Sequence, residues 1–368
     1  MHEYTHMSRR IFTAFFLIYL TSNCHANSEL HLIDSKTYHA FPQELLALAS
    51  QGLAKDTSGL IGRNRKWGRL YSPRFQLGAG RALRITLAAG DIDKAQQAYL
   101  AIKAGTRGIE NNGYIRSTLP IFISLGRKLS ESDIASAGAF YLGDACLGII
   151  ALEAVDFTQA VAESSDLHQI KKSLRHGIQW LISQRERLLK YDSHAPNRLL
   201  FDALAFHACG ILVNHKTALQ IAPDFIQRAI QLQNSKGYFL EGGGWDTSYQ
   251  AVSISVGKDV LLAGVQSPEL ESALYKATQW LARRINDQGR VDSTGNKRTC
   301  EGGESFLNKP KLLALDSVFI SLAYLGIMKQ DHELLDSAKR VSNWYQKHPR
   351  TNPCFSETSL SIINLSDK

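Results

Sequence analysis

Gln179-Trp180-Leu181 recurs as Gln279-Trp280-Leu281, an offset of 100 residues. Midway lies Ala229-Ile230-Gln231-Leu232, followed by Gly237-Tyr238-Phe239, and the later copy is followed by Asp287-Gln288-Gly289-Arg290-Val291. Gly237 and Gly289 are 52 apart. The repeating unit is therefore a helical pair of about 50 residues that ends in a loop reading glycine, then apolar. A helical pair cannot bury a face alone, so units stack, and stacked units can close into a ring. The expected fold is all-α: an (α/α)n toroid or barrel of antiparallel helical hairpins. It would form one domain over residues 27–368, with equivalent loops at one end. An open α-solenoid is the alternative.

Local signals agree with a helical reading. Gln43 to Lys55 has helical composition. Leu77 to Ala89 reads as a helix ended by Gly90, and Asp91 as the N-cap of Ile92 to Lys103. Ser130-Glu-Ser-Asp133 has capping-box form and opens a helix to about Ala154, rich in Ala and Gly. His168 to Leu189 is a further helix, and Asn197 to Val213 is apolar enough to be buried. Pro223-Asp224 reads as the start of Phe225 to Gln233. No convincing run of period-two strand alternation is found. Leu60 to Arg74 carries Arg63, Arg65, Lys66, Arg69 and Arg74, and reads as a basic loop that either is solvated or walls an anion-binding groove.

Arg9 and Arg10 precede a short apolar run, Ile11 to Leu20, and Cys24-His25-Ala26 offers small residues for cleavage. Residues 1–26 are read as a signal peptide, which places the mature chain in the periplasm or outside the cell. Removing it takes away two arginines and one glutamate, which lowers the net charge from +8 to +7. A basic exported chain suits an anionic partner such as an acidic polysaccharide. There is no dense Lys/Arg block or motif for nucleic acid, and no later stretch long and apolar enough to span a membrane. Cys146, Cys209, Cys300 and Cys354 allow three disulfide pairings, or free buried thiols.

Two glycine-bearing loops break the helical pattern. Gly237 to Gln250 places Glu241, Trp245, Asp246, Tyr249 and Gln250 around three consecutive glycines. Asp292 to Glu304 adds Asp292, Asn296, Arg298, Glu301 and Glu304. Such loops let a ligand approach the backbone while aromatics and carboxylates line the site. With Asn197-Arg198 and His207 on the buried helix, the leader and the repeat, the chain resembles exported carbohydrate-active α/α toroids. These are chiefly polysaccharide lyases of the alginate and heparin type and unsaturated-glucuronyl hydrolases. The resemblance implies cleavage of a polysaccharide or oligosaccharide, most simply an acidic one. Prenyl-chain cyclases share the helical ring, but their Asp-rich triple is absent.

Elimination from a uronic acid needs an offset for the carboxylate charge, a base for the adjacent carbon's proton, and an acid for the leaving oxygen. Asn197, Arg198, His207, Tyr249 and Arg298 could supply this set. Hydrolysis instead needs a protonated carboxyl and a carboxylate across the bond, and Glu241, Asp246, Asp292, Glu301 and Glu304 are available. The expected catalytic residues are Tyr249, His207, Asp246 and Glu241. Asn197, Arg198, Trp245, Gln250, Asp292, Asn296, Arg298 and Glu304 would hold substrate. Each also has a plainer reading: Asp246 as an N-cap, Tyr249 as an aromatic plug, His207 as a satisfied core histidine. A non-catalytic glycan-binding or envelope-assembly protein is the third possibility. No metal or cofactor motif is present: His207 and His215 are eight apart, not the i,i+4 pair of a zinc helix.

Overall fold

The computed structural model describes residues 29–300, 303–306, 309–348 and 353–354. The expected leader with its expected cleavage position, and Glu301, lie outside the described residues. Residues 29–40 are helical (α1), followed by α2 (Pro42–Ala49), α3 (Gly62–Lys66), α4 (Ala79–Ala88) and α5 (Ile92–Thr106). Then come α6 (Ile121–Ser124), α7 (Glu131–Glu153), α8 (Thr158–Val161), α9 (Ser164–Ser183), α10 (Arg185–Tyr191) and α11 (Pro196–Leu212). The last are α12 (Lys216–Gln231), α13 (Thr247–Leu262), α14 (Pro268–Ala282), α15 (Leu315–Lys329) and α16 (His332–Lys347). A two-residue ribbon pairs β1 (Ser305–Phe306) antiparallel with β2 (Lys309–Pro310). The chain is all-α in class.

The long helices are of two kinds. α4, α7, α11, α13 and α15 are buried around most of their circumference; in α7 almost every residue from Ile134 to Leu152 is buried. Their outer partners bury one stripe. In α9 that stripe is Ile170, Leu174, Gly177, Ile178 and Leu181, the spacing of one helical face. Each inner helix packs on its own outer partner (α4 on α5, α7 on α9, α11 on α12, α13 on α14, α15 on α16), and each of the first four also packs on the next inner helix in the chain. Contrary to the sequence reading, α7 is long and apolar enough to cross a membrane by composition, the one such helix among those described, but it is buried inside the protein. At the N-terminus, Asp34 of α1 pairs with Arg84 of α4 at 3.5 Å and accepts a hydrogen bond from Tyr324 of α15 at 2.6 Å. Phe41, just before α2, packs edge-on against Phe319 of α15.

The repeat has a defined physical unit. Three outer-to-inner connections make the same turn, bridging Ile109 to Ile115, Gln233 to Phe239 and Ile285 to Val291. Each turn holds a glycine at positive φ: Gly113, Gly237 and Gly289. A Cβ on these would lie 2.1, 3.1 and 2.0 Å from the carbonyls of His176, Lys276 and Arg340, on the next outer helix. Four residues beyond each carbonyl stands a tryptophan. Trp180 packs on Tyr114, Trp280 on Tyr238, and Trp344 beneath Arg290. The glycine permits both the backbone conformation and the close approach, and the tryptophan clamps the turn. The third copy, Trp344, has no Gln-Trp-Leu around it.

Several expectations are corrected. Pro223 does not open a helix; it sits inside α12. The buried stripe of Ala218, Ile221, Ala222, Phe225, Ile226 and Ala229 runs through it, so packing outweighs the lost backbone bond. The helix expected over His168 to Leu189 breaks at Gln184. The basic stretch is not all loop: it contains α3 and a 3₁₀ turn, Pro73–Gln76, held by buried Asn64 and Gln76. The cysteines pair Cys146–Cys209, which ties α7 to α11, and Cys300–Cys354.

Candidate functional site

The two glycine-bearing loops pack together at the N-terminus of α13, and Asp246 joins them. Its Oδ1 accepts from the backbone N–H groups of Ser248 and Tyr249 at 3.1 Å each, the N-cap arrangement. Its Oδ2 accepts from the N–H groups of Arg298 and Thr299 at 2.8 Å each, and the Thr299 hydroxyl also donates to the carboxylate. A buried carboxylate with both oxygens so engaged is a fastener, not a proton carrier. Asn296 does similar work: its Oδ1 accepts from the N–H and hydroxyl of Thr247. Asp292 pairs with Arg284 at 3.0 Å and accepts from Thr294 N–H. Gln250 Oε1 accepts from Phe239 N–H at 2.9 Å.

Trp245 is also part of the frame. Its Nε1–H donates to the Thr294 carbonyl at 3.1 Å, and its ring packs against Tyr238 and Gly295. It does not line the cavity described next, contrary to the expected stacking on a sugar. Neither does His207. It lies ten residues along α11 from Asn197, roughly 15 Å by helical rise. It interacts with the backbone of Ala263, and burial lowers its pKa to about 4. It is a neutral core histidine away from the loops.

Beside the joined loops is a cavity of about 350 Å³. Its walls come from the start of α4, the middle of α7, the first half of α11, α13 and the segment before α15. Asn197, Arg198, Tyr249 and Arg298 line it, as expected, together with Arg74, Lys311 and three aspartates. The aspartates are engaged. Asp144 accepts from the N–H groups of Gly78, Gly80 and Arg81 at 2.8–2.9 Å and so caps α4. Asp259 binds Arg84 at 2.7 Å and also Lys258, and Asp316 faces Arg81 at 3.9 Å. Arg198 bonds buried Asp192 at 3.1 Å, behind which burial and the Asp192 charge hold the Asp202 carboxyl well above the carboxylate range. Arg74 lies over the Phe140 ring at 4.5 Å. Arg74 is exposed to solvent as a whole, but desolvation of its guanidinium lowers its pKa, and the charges of Arg198 and Arg63 lower it further. Against the cost of burial, Asp192 holds Arg198 above its ordinary value, so of the two only Arg74 is depressed, and a cation depressed by a like charge favours an incoming anion. Asn197 is buried, and its Oδ1 has no hydrogen-bond partner among the described residues.

Tyr249 stands at the junction. The Arg298 guanidinium lies 3.9 Å and the Lys311 ammonium 4.4 Å from its ring centroid. Its hydroxyl accepts a hydrogen bond from Lys311 Nζ and donates to Glu304 Oε2 at 3.3 Å. Burial raises the Tyr249 pKa, only partly opposed by Arg298, so the phenol keeps its proton. Burial lowers the Lys311 pKa against the pull of Glu304. Arg298 also bridges Glu304 at 2.7 Å and buried Glu241. Burial pushes the Glu241 carboxyl up, while Arg298 pulls it down. Glu241 therefore backs Arg298 rather than facing the cavity.

Arg74 and Lys311 line the cavity but were not among the expected site residues. Arg74 was legible only as one of five cations in a basic stretch. Lys311 had no signal, because it follows a segment without helical period. A larger opening of about 900 Å³ lies between α2, α15 and α16. Leu48, Leu312, Phe319 and Tyr345 line it, and Leu312 and Asp316 also line the smaller cavity. No protein-family model, curated protein or solved structure matches this chain.

Proposed function

We propose that this protein is an exported carbohydrate-active enzyme that cleaves an acidic polysaccharide or oligosaccharide by β-elimination at a uronic acid. The carrying observation is the protonated Tyr249 hydroxyl, bonded to Lys311 in a cavity where Arg74 and Arg198 repel each other. A substrate carboxylate bound by these arginines and the Asn197 amide loses its repulsion toward a carbanion next to it. Lys311, in its neutral form, takes the proton from that carbon as the electron pair moves toward the carboxyl. The C–O bond to the leaving sugar then breaks, the ring gains a C=C bond, and Tyr249 protonates the leaving oxygen. The resulting phenolate lies against Lys311 and Arg298, and the Lys311 proton returns to it, which restores both groups.

The fold reading belongs to the same proposal. We take the helical pairs to close as an (α/α) toroid, with α1 and α2 between the last inner helix and the first. Support comes from Asp34 bonding to both Arg84 and Tyr324, and from Phe41 against Phe319. In this arrangement the N-termini of α11, α13 and α15 gather at one mouth, where helix dipoles favour an anion.

Hydrolysis is less well supported by the geometry. Asp246, Asp144 and Asp259 are filled by hydrogen bonds or ion pairs, which occupy the oxygens that hydrolysis would need. The test is a panel of acidic and neutral polysaccharides read for ultraviolet absorbance and reducing ends together. Elimination gives both signals, hydrolysis gives reducing ends alone, and a binding protein gives neither. Reducing ends without absorbance would refute the lyase reading.

A further inference from the structure

A second surface stands out beside this mouth. The turn α6 and the residue after it present Ile121, Phe122 and Leu125 at 79%, 65% and 82% exposure, among the most exposed large apolar side chains described. At 100° per residue these three positions fall on one side of a helical turn. The tip is fixed to the basic stretch. Thr118 N–H donates to the Tyr71 carbonyl at 2.8 Å, the Ser72 and Ser117 hydroxyls bond at 2.8 Å, and Trp67 meets Phe122 edge-on. Residues 61–76 and 116–130 together hold eight Lys and Arg residues and no Asp or Glu. Lys66, Arg69, Arg127 and Lys128 are exposed around the apolar tip. Of the flanking acids, Asp56 faces Arg65 of this stretch at 4.0 Å, and Glu131 binds Arg187 outside it.

We propose that this tip docks the protein on an anionic bilayer surface. Three exposed apolar side chains ringed by cations match a membrane interface, where the side chains enter the acyl boundary and the cations meet lipid phosphates. A soluble glycan would reward aromatic faces and hydrogen-bonding groups, whereas Ile121 and Leu125 offer neither. Docking here would hold the mouth of the Tyr249 cavity close to the envelope, but the proposal stands without the lyase reading.

The test is co-sedimentation of the chain, as expressed, with vesicles of phosphatidylcholine alone and with about one third phosphatidylglycerol. Wild type is compared with Ile121→Ser/Phe122→Ser/Leu125→Ser and with Arg127→Gln/Lys128→Gln. Wild type should bind the anionic vesicles better than the neutral ones, and less well at high salt. The triple variant should bind at least roughly tenfold more weakly with an unchanged thermal midpoint, since its side chains are already in water. The double variant should flatten the salt dependence. Equal binding by wild type and triple variant, or no wild-type preference for anionic vesicles, would overturn the proposal. So would loss of acidic-polysaccharide retention in the triple variant with vesicles ignored by both proteins.

Discussion

Replacing Asp246 by Asn tests the junction on which the candidate site depends. The change keeps one oxygen, so the cap of α13 at Ser248 and Tyr249 can persist. It turns an amide NH₂ toward the N–H groups of Arg298 and Thr299, which now lie 2.8 Å from a carboxylate oxygen. Both donors lose their acceptor. A buried donor left unsatisfied costs about 1–3 kcal/mol, so the expected loss for the two is roughly 2–6 kcal/mol. Asp246→Ala adds loss of the cap, worth about 1 kcal/mol, and should cost roughly 3–7 kcal/mol. Urea unfolding reads this as a lower midpoint at unchanged slope. Asp246→Asn should also abolish ligand binding at the cavity, because Arg298 reaches Tyr249 from the loop that Asp246 holds. A loss under about 1 kcal/mol for Asp246→Asn would refute the fastening role.

Two further outcomes follow from buried groups. His207 has a folded pKa lowered to about 4 by burial, so its neutral form stabilises the fold fully above an unfolded value of about 6.5, and that stability is lost as pH falls toward the folded value. The difference amounts to roughly 3 kcal/mol between about pH 7 and pH 4, and His207→Gln should flatten the corresponding drop in urea midpoint; an unchanged pH profile would contradict the assignment. Cys146→Ala/Cys209→Ala opens a disulfide spanning 63 residues and should cost about 4 kcal/mol by chain-entropy reasoning; a loss under about 1 kcal/mol would show that the packing of α7 on α11 suffices alone.

What the sequence disclosed depended on how local the physics was. The cap of α5 at Asp91 and the capping box at Ser130 and Asp133 are backbone events within three residues, and both are present. The burial of α7 and α11 followed from their apolar composition. Pro223 misled because a rule about backbone donors was applied where tertiary packing decides. The third copy of the glycine–tryptophan clamp was hidden, since Arg290 replaces tyrosine opposite Trp344. At the site, the two loops were visible as glycine and aromatic clusters, but side-chain direction was not. Trp245 and Gln250 turned inward as framework, and His207 faced another helix. Lys311 reaches Tyr249 across 62 residues, a contact that no spacing rule reports. Asp246 had two readings from the outset, and its filled oxygens favour the cap.

The central claim is that Tyr249 and Lys311 transfer protons at a uronic acid held by the cavity arginines. The most direct measurement is the ultraviolet progress curve of purified wild type and Tyr249→Phe on an acidic polysaccharide that wild type cleaves, with reducing ends counted in parallel. The substitution removes one hydroxyl and almost no volume, so its stability cost should be about 1 kcal/mol. The account predicts a fall in kcat of roughly 100-fold or more, with KM and the thermal midpoint little changed. Full activity in Tyr249→Phe would contradict it and leave Tyr249 as packing between Arg298 and Lys311.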